Sequence, residues 1–117
     1  MCGIIGIASN KSVTSNIINS LKRLEYRGYD SSGVATIHDN TINEKKCPGR
    51  VEELEKILFN SPSNGNVGIG HVRWATHGLP NQINAHPHSS EVVSVVHNGI
   101  IENSHNLKKN LENDGYK

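Results

Sequence analysis

The pattern of apolar residues along the chain predicts a mixture of short strands and amphipathic helices. Gly3–Ala8 is a continuous apolar run with the length of a buried strand. Apolar residues then recur at every third or fourth position, as on one face of a helix, at Val13, Ile17, Leu21 and Leu24. We expect Ser12 or Thr14 to cap this helix, and Gly28 to end it in a left-handed conformation.

The same alternation continues to the end of the chain. Residues 33–37 suit a second strand, and Asp39-Asn40 suits a turn into a third strand around Ile42. Residues 51–58 carry a second helical pattern, 67–75 and 92–96 suit further strands, and a last helix begins at Asn103 or Ser104 and ends near Gly115. This order predicts a layered sandwich of helices and strands.

Length and charge narrow the class of protein. The 117 residues suit one domain, and 12 basic against 11 acidic side chains leave a net charge of +1. That balance argues against a protein that binds nucleic acid or an anionic membrane surface through charge. Apolar runs are much shorter than the roughly 20 residues of a membrane span, and the chain does not open with a signal-peptide pattern. We therefore expect a cytoplasmic protein with no nucleic-acid or membrane partner.

Cysteine usage agrees with a reducing compartment. Cys2 and Cys47 are the two cysteines, whereas a short secreted scaffold normally carries four or more. We expect both to be reduced thiols. Cys47 stands in a Cys-Pro-Gly run and is predicted to be a turn residue.

Cys2 has a chemical interpretation beside a structural one. Removal of Met1 would leave Cys2 with a free α-amine, and an α-amine and a thiol ionise over similar pH ranges in reference peptides. The amine can then take the thiol proton, so that one residue supplies both nucleophile and base. The alternative is that Cys2 is simply a small residue before a buried strand.

A dense group of polar residues follows the fourth predicted strand. Within residues 70–78, Arg73 can hold a carboxylate through two parallel hydrogen bonds, and Thr76 with nearby backbone N–H groups can complete that contact. Trp74 can fold over a ligand. The alternative, a strand with a surface arginine and a buried tryptophan, explains Trp74 but not the density of polar groups.

The Asn98-Gly99 pair also has two interpretations. Asn-Gly between apolar runs is a strong signal for a two-residue β-hairpin turn, and on local physics alone this interpretation is favoured. The alternative uses the Asn98 side-chain N–H₂ and the Gly99 backbone N–H as two converging donors of an oxyanion hole.

Histidines raise the question of a metal site. His86 and His88, with His71 or His77, lack cysteine or carboxylate partners at the usual ligand spacing. We therefore expect no metal, and the glycine pattern does not fit a phosphate-binding or dinucleotide-binding loop, so we expect no cofactor.

Taken in order, five segments carry a resemblance to a known family. These are residues 2–7, the run Leu-Lys-Arg-Leu-Glu-Tyr-Arg-Gly-Tyr-Asp-Ser-Ser-Gly at 21–33, Gly-His-Val-Arg-Trp-Ala-Thr-His-Gly at 70–78, Asn-Ala-His-Pro-His at 84–88 and His-Asn-Gly-Ile-Ile-Glu-Asn at 97–103. From Cys2 to Tyr116 the chain closely resembles the N-terminal glutaminase domain of the glutamine–fructose-6-phosphate aminotransferase family of class II glutamine amidotransferases.

The resemblance implies a fold and a set of roles. The fold is the α+β N-terminal-nucleophile sandwich, with layers in the order αββα. Cys2 is implied to be the nucleophile with its own α-amine as base, and Asn98 and Gly99 the oxyanion hole. Residues implied to bind glutamine, through its α-carboxylate or by lining the site, are Arg73, Trp74, Thr76, His77, Arg27, Gly28 and His86.

The resemblance also implies that residues 1–117 are a partial domain. In the family, an acidic residue for the substrate α-ammonium follows the Gly-Tyr found here at 115–116, and sugar-isomerase domains bind fructose 6-phosphate; neither is present in this sequence. The family's reaction is glutamine hydrolysis, whose ammonia aminates fructose 6-phosphate on the way to UDP-N-acetylglucosamine, in a parent protein expected to be a homo-oligomer. We expect residues 1–117 alone to be weakly active or inactive. The alternatives are an inactive fragment or the glutaminase domain of another class II amidotransferase.

Overall fold

The computed structural model describes residues 2–74 and 83–116. Along the chain the elements are β1 (Gly3–Ala8), α1 (Thr14–Leu24), a 3₁₀ turn (Glu25–Arg27), β2 (Ser31–His38), β3 (Thr41–Pro48), α2 (Val51–Asn60), β4 (Val67–Arg73), β5 (His88–Ser89), β6 (Ser94–Val95) and α3 (Ser104–Asn113). Within these residues, no helix is long and apolar enough to cross a membrane.

The main sheet brings distant parts of the chain to one end. It has four antiparallel strands in the order β1-β4-β2-β3, and β5 pairs separately with β6. Gly3 pairs with Val72 and Ser31 pairs with Arg73. The start of β1, the start of β2 and the end of β4 therefore lie side by side, and residues 2, 27–30 and 73–74 meet at that end.

Helices α1 and α2 cover one face of the sheet. Their buried residues join strand residues in one core formed by Val13, Ile17, Ile18, Leu21, Val34, Cys47, Val51, Leu54, Leu58 and Val72. The helical spacing of the apolar positions in α1 and α2 is what turns these side chains toward the sheet. This core lies wholly within residues 13–72.

On the other face of the sheet lies a covering segment, residues 83–88. Lys46 Nζ donates to the carbonyl oxygens of Ala85 and Pro87, each at 3.0 Å, and Ala85 is fully buried. A Cβ on Gly33 would lie 2.1 Å from the His86 carbonyl oxygen. Only glycine allows the segment to approach β2 this closely, and the approach carries His86 and His88 toward the end of β4.

The sequence predicts most elements of residues 2–74 correctly, but two helix ends differ. Val13 precedes α1 with no side-chain cap, and Thr14 instead donates its hydroxyl to the Ser63 carbonyl. A 3₁₀ turn follows α1, and Gly28 has φ 173°, which is extended and not left-handed. The predictions of a Ser12 or Thr14 cap and of a left-handed Gly28 are therefore wrong.

Cys47 also differs from its prediction. It is not a turn residue: it lies in β3, pairs with Ser32 and is buried in the core. Burial, reinforced by the charge of Glu53, raises the pKa of its thiol. Both Cys2 and Cys47 are free thiols, as expected.

The second half of the chain shows the larger difference. The strand predicted over 92–96 shortens to Ser94–Val95, and Asn98-Gly99 is followed by no strand within residues 100–116. The hairpin interpretation of Asn98-Gly99 is thus wrong. Helix α3 forms as predicted, but none of its residues is buried. The described residues therefore form one helical layer, α1 and α2, on a four-stranded sheet, with a separate two-stranded sheet and the exposed helix α3.

Candidate active site

Cys2 stands immediately before β1, against the backbone at the end of β4. The Trp74 backbone N–H donates to the Cys2 Sγ at 3.4 Å, and the Sγ lies 3.8 Å from the Trp74 carbonyl oxygen. The thiol is partly exposed. The β1–β4 register holds the sulfur at a fixed place beside Arg73 and Trp74, while leaving it accessible.

The Cys2 carbonyl oxygen is held by two side chains from distant segments. Arg27 Nε donates to it at 2.9 Å from the 3₁₀ turn after α1, and Asn98 Nδ2 donates to it at 3.1 Å from the loop after β6. The backbone of Cys2 is therefore held by Arg27, 25 positions along the chain, and by Asn98, 96 positions along it. Asn98 and its amide nitrogen lie next to the candidate nucleophile.

The other end of the Asn98 amide is held as well. Its Oδ1 lies 2.9 Å from His71 Nε2, and His71 is fully buried in β4. Because the Cys2 carbonyl oxygen only accepts, the amide nitrogen must face Cys2 and the amide oxygen must face His71. His71 Nε2 therefore carries the proton of this hydrogen bond.

A cavity of about 210 Å³ lies beside these contacts. The residues that line the cavity are Cys2, Arg73, Trp74, Asn84, His86, His88, His97 and Gly99. They include both chain neighbours of Asn98, and one of these, Gly99, has φ +135°, a value that favours glycine. The candidate nucleophile Cys2, the positive charge of Arg73 and the candidate oxyanion donor Gly99 thus line one small space.

Arg73 supplies a fixed positive charge to this cavity. Its side chain is 7% exposed at the end of β4, and a guanidinium stays protonated in proteins. Nearby histidines do not add charge at neutral pH: burial lowers the pKa of His86 to about 4, and burial also lowers the pKa of His71 and of His88. A neutral histidine cluster around a charged arginine suits an anionic group such as a carboxylate.

The histidines form a stack behind the cavity. His71 and His86 lie with ring centroids 4.3 Å apart at 22°, and His86 meets His88 edge-on at 4.4 Å. Within the described residues, no group of three or more potential ligands is arranged to hold a metal ion. The cluster is therefore best described as a packed wall of the site.

Gly28 allows the turn before β2 to pack on the end of β4. A Cβ at this position would lie 2.5 Å from the Arg73 carbonyl carbon and 2.7 Å from the Trp74 backbone nitrogen. Any side chain would displace the backbone that carries Arg73, Trp74 and the donor to Cys2. The extended φ is ordinary, so the requirement for glycine here is steric.

Trp74 packs against the neighbouring turn through Tyr29. The two rings meet edge to face with centroids 5.5 Å apart, and the Arg50 guanidinium lies 4.8 Å above the Tyr29 ring. Trp74 remains 46% exposed at the mouth of the cavity. Its predicted role over a ligand stays a prediction.

A larger cleft, about 460 Å³, lies on the helical side of the sheet between α1, the end of α2 and residues 62–64. It contains none of the residues that the sequence singles out for chemistry, and its lining is mainly serine, asparagine and apolar side chains. The volume of a cavity therefore does not identify the candidate active site. The smaller cavity is identified by the chemical groups that converge on it.

The structure brings together eight of the ten residues that the sequence predicts for the site. They are Cys2, Arg27, Gly28, Arg73, Trp74, His86, Asn98 and Gly99. The remaining two, Thr76 and His77, lie outside the described residues.

Sequence reasoning assigned no site role to four residues that the structure places here. His71 binds Asn98, and Asn84, His88 and His97 line the cavity. Strand periodicity carried a signal for one of them, because residues two apart on a strand share a face. His71 shares the face of Arg73 on β4.

Comparison with known proteins adds independent evidence. Glutamine–fructose-6-phosphate aminotransferase [isomerizing] of Bartonella henselae is 55% identical over 116 residues, which is 99% of this chain and 19% of that protein. The Clostridium acetobutylicum protein of the same name is 53% identical over 119 residues, 100% of this chain and 20% of that protein. No family model matches the chain.

A solved structure agrees on the fold. Glutamine phosphoribosylpyrophosphate amidotransferase from B. subtilis, complexed with ADP and GMP, superposes with a TM-score of 0.80 and 26% identity, over 100% of this chain and 26% of that one. Over nearly its whole length, this chain is similar to class II glutamine amidotransferases. Its 55% identity to the Bartonella henselae glutamine–fructose-6-phosphate aminotransferase is about twice its 26% identity to the B. subtilis phosphoribosylpyrophosphate amidotransferase.

The described α+β structure is accordingly part of the class II amidotransferase fold. The chain spans about one fifth of the length of the curated relatives it matches, 19% of the Bartonella henselae protein. The expected domain boundaries at 1–117 stay a prediction.

Proposed function

We propose that this chain is the glutaminase part of a class II amidotransferase. In a protein with the length of its relatives it hydrolyses glutamine to L-glutamate and ammonia, with Cys2 as nucleophile. The observation that supports it most strongly is the side-chain amide of Asn98, placed 3.1 Å from the Cys2 carbonyl by a loop 96 residues away. A turn residue would not need this contact, whereas an oxyanion donor must lie beside the nucleophile.

The reaction begins once Met1 is removed; Met1 lies outside the described residues. The Cys2 α-amine takes the thiol proton, and the thiolate sulfur attacks the carbon of the glutamine side-chain amide. The resulting tetrahedral oxyanion is stabilised by a second N–H of Asn98 and by the Gly99 backbone N–H.

Collapse of this intermediate completes the first half of the reaction. The carbon–nitrogen bond breaks, and the α-ammonium of Cys2 returns the proton to the leaving ammonia. A γ-glutamyl thioester remains on Cys2. Water then attacks the thioester with the α-amine as base, releasing glutamate and restoring the thiol.

Arg73 binds the α-carboxylate of glutamine in this proposal, joined by Thr76 and the backbone of His77. The guanidinium matches a carboxylate through two parallel hydrogen bonds. The cavity of about 210 Å³ is smaller than the roughly 300–1,000 Å³ typical of drug-sized ligands. It therefore suits a single amino acid.

In a protein with the length of its relatives, the ammonia would aminate fructose 6-phosphate to glucosamine 6-phosphate. The 55% identity to the Bartonella henselae aminotransferase supports this acceptor over that of the B. subtilis phosphoribosyl enzyme, at 26%. We propose a cytoplasmic location, because the mechanism requires a reduced thiol.

Asn98→Ala in a protein with the length of the relatives tests the proposal. Loss of one oxyanion donor should lower kcat for glutamate release by about 10²–10³-fold, with a much smaller change in KM. Asn106→Ala, at an exposed position of α3, is the matched control and should keep the original kcat. Near-normal turnover in the Asn98 variant would remove the central support for this mechanism.

A further inference from the structure

His71 is a buried polar residue to which the proposed reaction gives no role. It lies at the centre of β4, paired with Ile4 on one side and Gly33 on the other, and its side chain is fully buried. A buried histidine needs a hydrogen-bond partner to offset the loss of water. The partner found here is Asn98 Oδ1, at 2.9 Å.

The state of the His71 ring follows from its surroundings. Burial lowers its pKa by more than the hydrogen bond to Asn98 raises it, so the ring is neutral at physiological pH. Nδ1 is buried with no hydrogen-bond partner among the described residues, which leaves Nε2 as the bonded nitrogen. A neutral ring carries one N–H, and the Asn98 oxygen can only accept. The proton therefore sits on Nε2.

Two contacts together fix which way the Asn98 amide points. The Cys2 carbonyl accepts from Nδ2 at 3.1 Å, and the His71 Nε2–H donates to Oδ1. Stacking on His86 at 22° restrains the plane of the donor ring. If the His71 donor is lost, the amide is held at its nitrogen end alone, and Asn98 is otherwise exposed.

We propose that His71 is a positioning residue that sets the polarity of the Asn98 amide toward Cys2. The catalytic consequence rests on the proposed function: a rotated amide would present oxygen to the developing oxyanion and repel it. His71 does not touch the reacting atoms. It acts by keeping the amide nitrogen, and not the amide oxygen, next to the nucleophile.

Two substitutions at His71 separate this role from simple packing. His71→Phe keeps a ring that can stack on His86 but removes the donor, whereas His71→Gln restores an N–H donor with a side chain of suitable length. We expect kcat to fall about 10–100-fold in His71→Phe with KM changed less than about threefold, and to recover within about threefold of the original in His71→Gln. His105→Phe, at an exposed position, is the control.

Coupling to Asn98 provides the second readout. In an Asn98→Ala background, His71→Phe should cause no further loss of kcat, because the positioned group is already absent. A correctly folded His71→Phe protein with unchanged kcat would overturn the proposal. An equal loss of kcat in the two backgrounds would do the same.

A nuclear magnetic resonance measurement on the unmodified ¹⁵N-labelled protein decides the case even where His71→Phe fails to fold. We expect the His71 ring to be the neutral Nε2–H tautomer, as the hydrogen bond to Asn98 Oδ1 requires. An Nδ1–H tautomer would overturn the proposal. Absence of glutamate release by a protein with the length of the relatives, beside the expected spectrum, would refute the proposed function while leaving the positioning contact in place.

Discussion

The two halves of the chain are built on different physical principles. Residues 2–74 hold the entire apolar core cluster, in which helices α1 and α2 pack on a four-stranded sheet. Residues 83–116 bury Ala85 and Pro87, and helix α3 has no buried residue. The first region is held by apolar burial. The second region is joined to it by hydrogen bonds that Lys46 and His71 donate and by one that the Cys2 carbonyl oxygen accepts from Asn98.

The candidate active site lies on the boundary between these halves. Cys2 and Arg73 come from the packed sheet, while His86, Asn98 and Gly99 come from the exposed half. The proposed nucleophile and the proposed carboxylate-binding group are thus fixed by the core, whereas the proposed oxyanion donor Asn98 is fixed by side-chain hydrogen bonds. Stability and catalysis should consequently respond to different substitutions.

A substitution in the apolar core should have the largest effect on the free energy of unfolding. Leu54 is fully buried in α2, so Leu54→Ala should lower the free energy of unfolding by about 2–5 kcal/mol through lost burial and a cavity. Denaturant unfolding measures the change. The matched variant Leu111→Ala lies in α3, half exposed, and should shift it by less than about 0.5 kcal/mol. Equal losses in the two variants would show that α3 is as tightly packed as α2.

The next prediction concerns the close packing of Gly28 against the backbone of Arg73 and Trp74. Gly28→Ala would push on the Arg73–Trp74 peptide, 2.5 Å from the new Cβ, and should lower kcat/KM for glutamine by about 10–100-fold. Glutamate release measures it. Gly6→Ala, with Ile69 Cγ2 at 3.9 Å from the new Cβ, is the control and should leave kcat/KM unchanged. If both variants behave alike, close packing at Gly28 does not position the site.

These two regions also differ in how well the sequence predicts them. In residues 2–74 the apolar periodicity identifies β1, α1, β2, β3, α2 and β4, because those residues are buried against one another. The errors fall at the Thr14 and Gly28 helix ends, where a tertiary contact replaces the local one. Cys47 is a third error, since its turn-like neighbours concealed a strand.

In residues 83–116 local patterns were less informative. Asn98-Gly99 has the sequence of a hairpin turn, but the bonds of Asn98 to Cys2 and His71 span 96 and 27 positions, which no local rule reports. The resemblance to known amidotransferases implied that Asn98 is an oxyanion donor, a role that stays a prediction, and the structure places Asn98 beside Cys2. It did not identify His71, whose role depends on a contact between strand and loop.

The smallest expected effect is a pH dependence of stability across the boundary. Burial, with the charges of His71, His88, Arg73 and Lys46, lowers the pKa of His86 from 6.5 to about 4. Between these values the unfolded chain binds a proton that the folded chain does not. The free energy of unfolding should therefore have its full value above pH 6.5 and decrease as the pH falls from 6.5 toward 4.

Thermal unfolding of the original protein and of His86→Gln measures this contribution. The variant should lose less stability between pH 6.5 and 4, because the proton-binding group is absent. His105→Gln, at an exposed position, should keep the original slope. If stability depends on pH as steeply in His86→Gln as in the original protein, then folding does not oppose protonation of His86.

Covalent labelling tests most directly whether Cys2 is a nucleophile in a glutamine-binding site. The protein with Met1 removed is treated with the glutamine-like diazoketone 6-diazo-5-oxo-L-norleucine, and the modified residue is located by mass spectrometry. We expect one equivalent on Cys2, protection by glutamine, and no label on Cys47, which is buried. No label on Cys2, or labelling that glutamine does not prevent, would contradict the account.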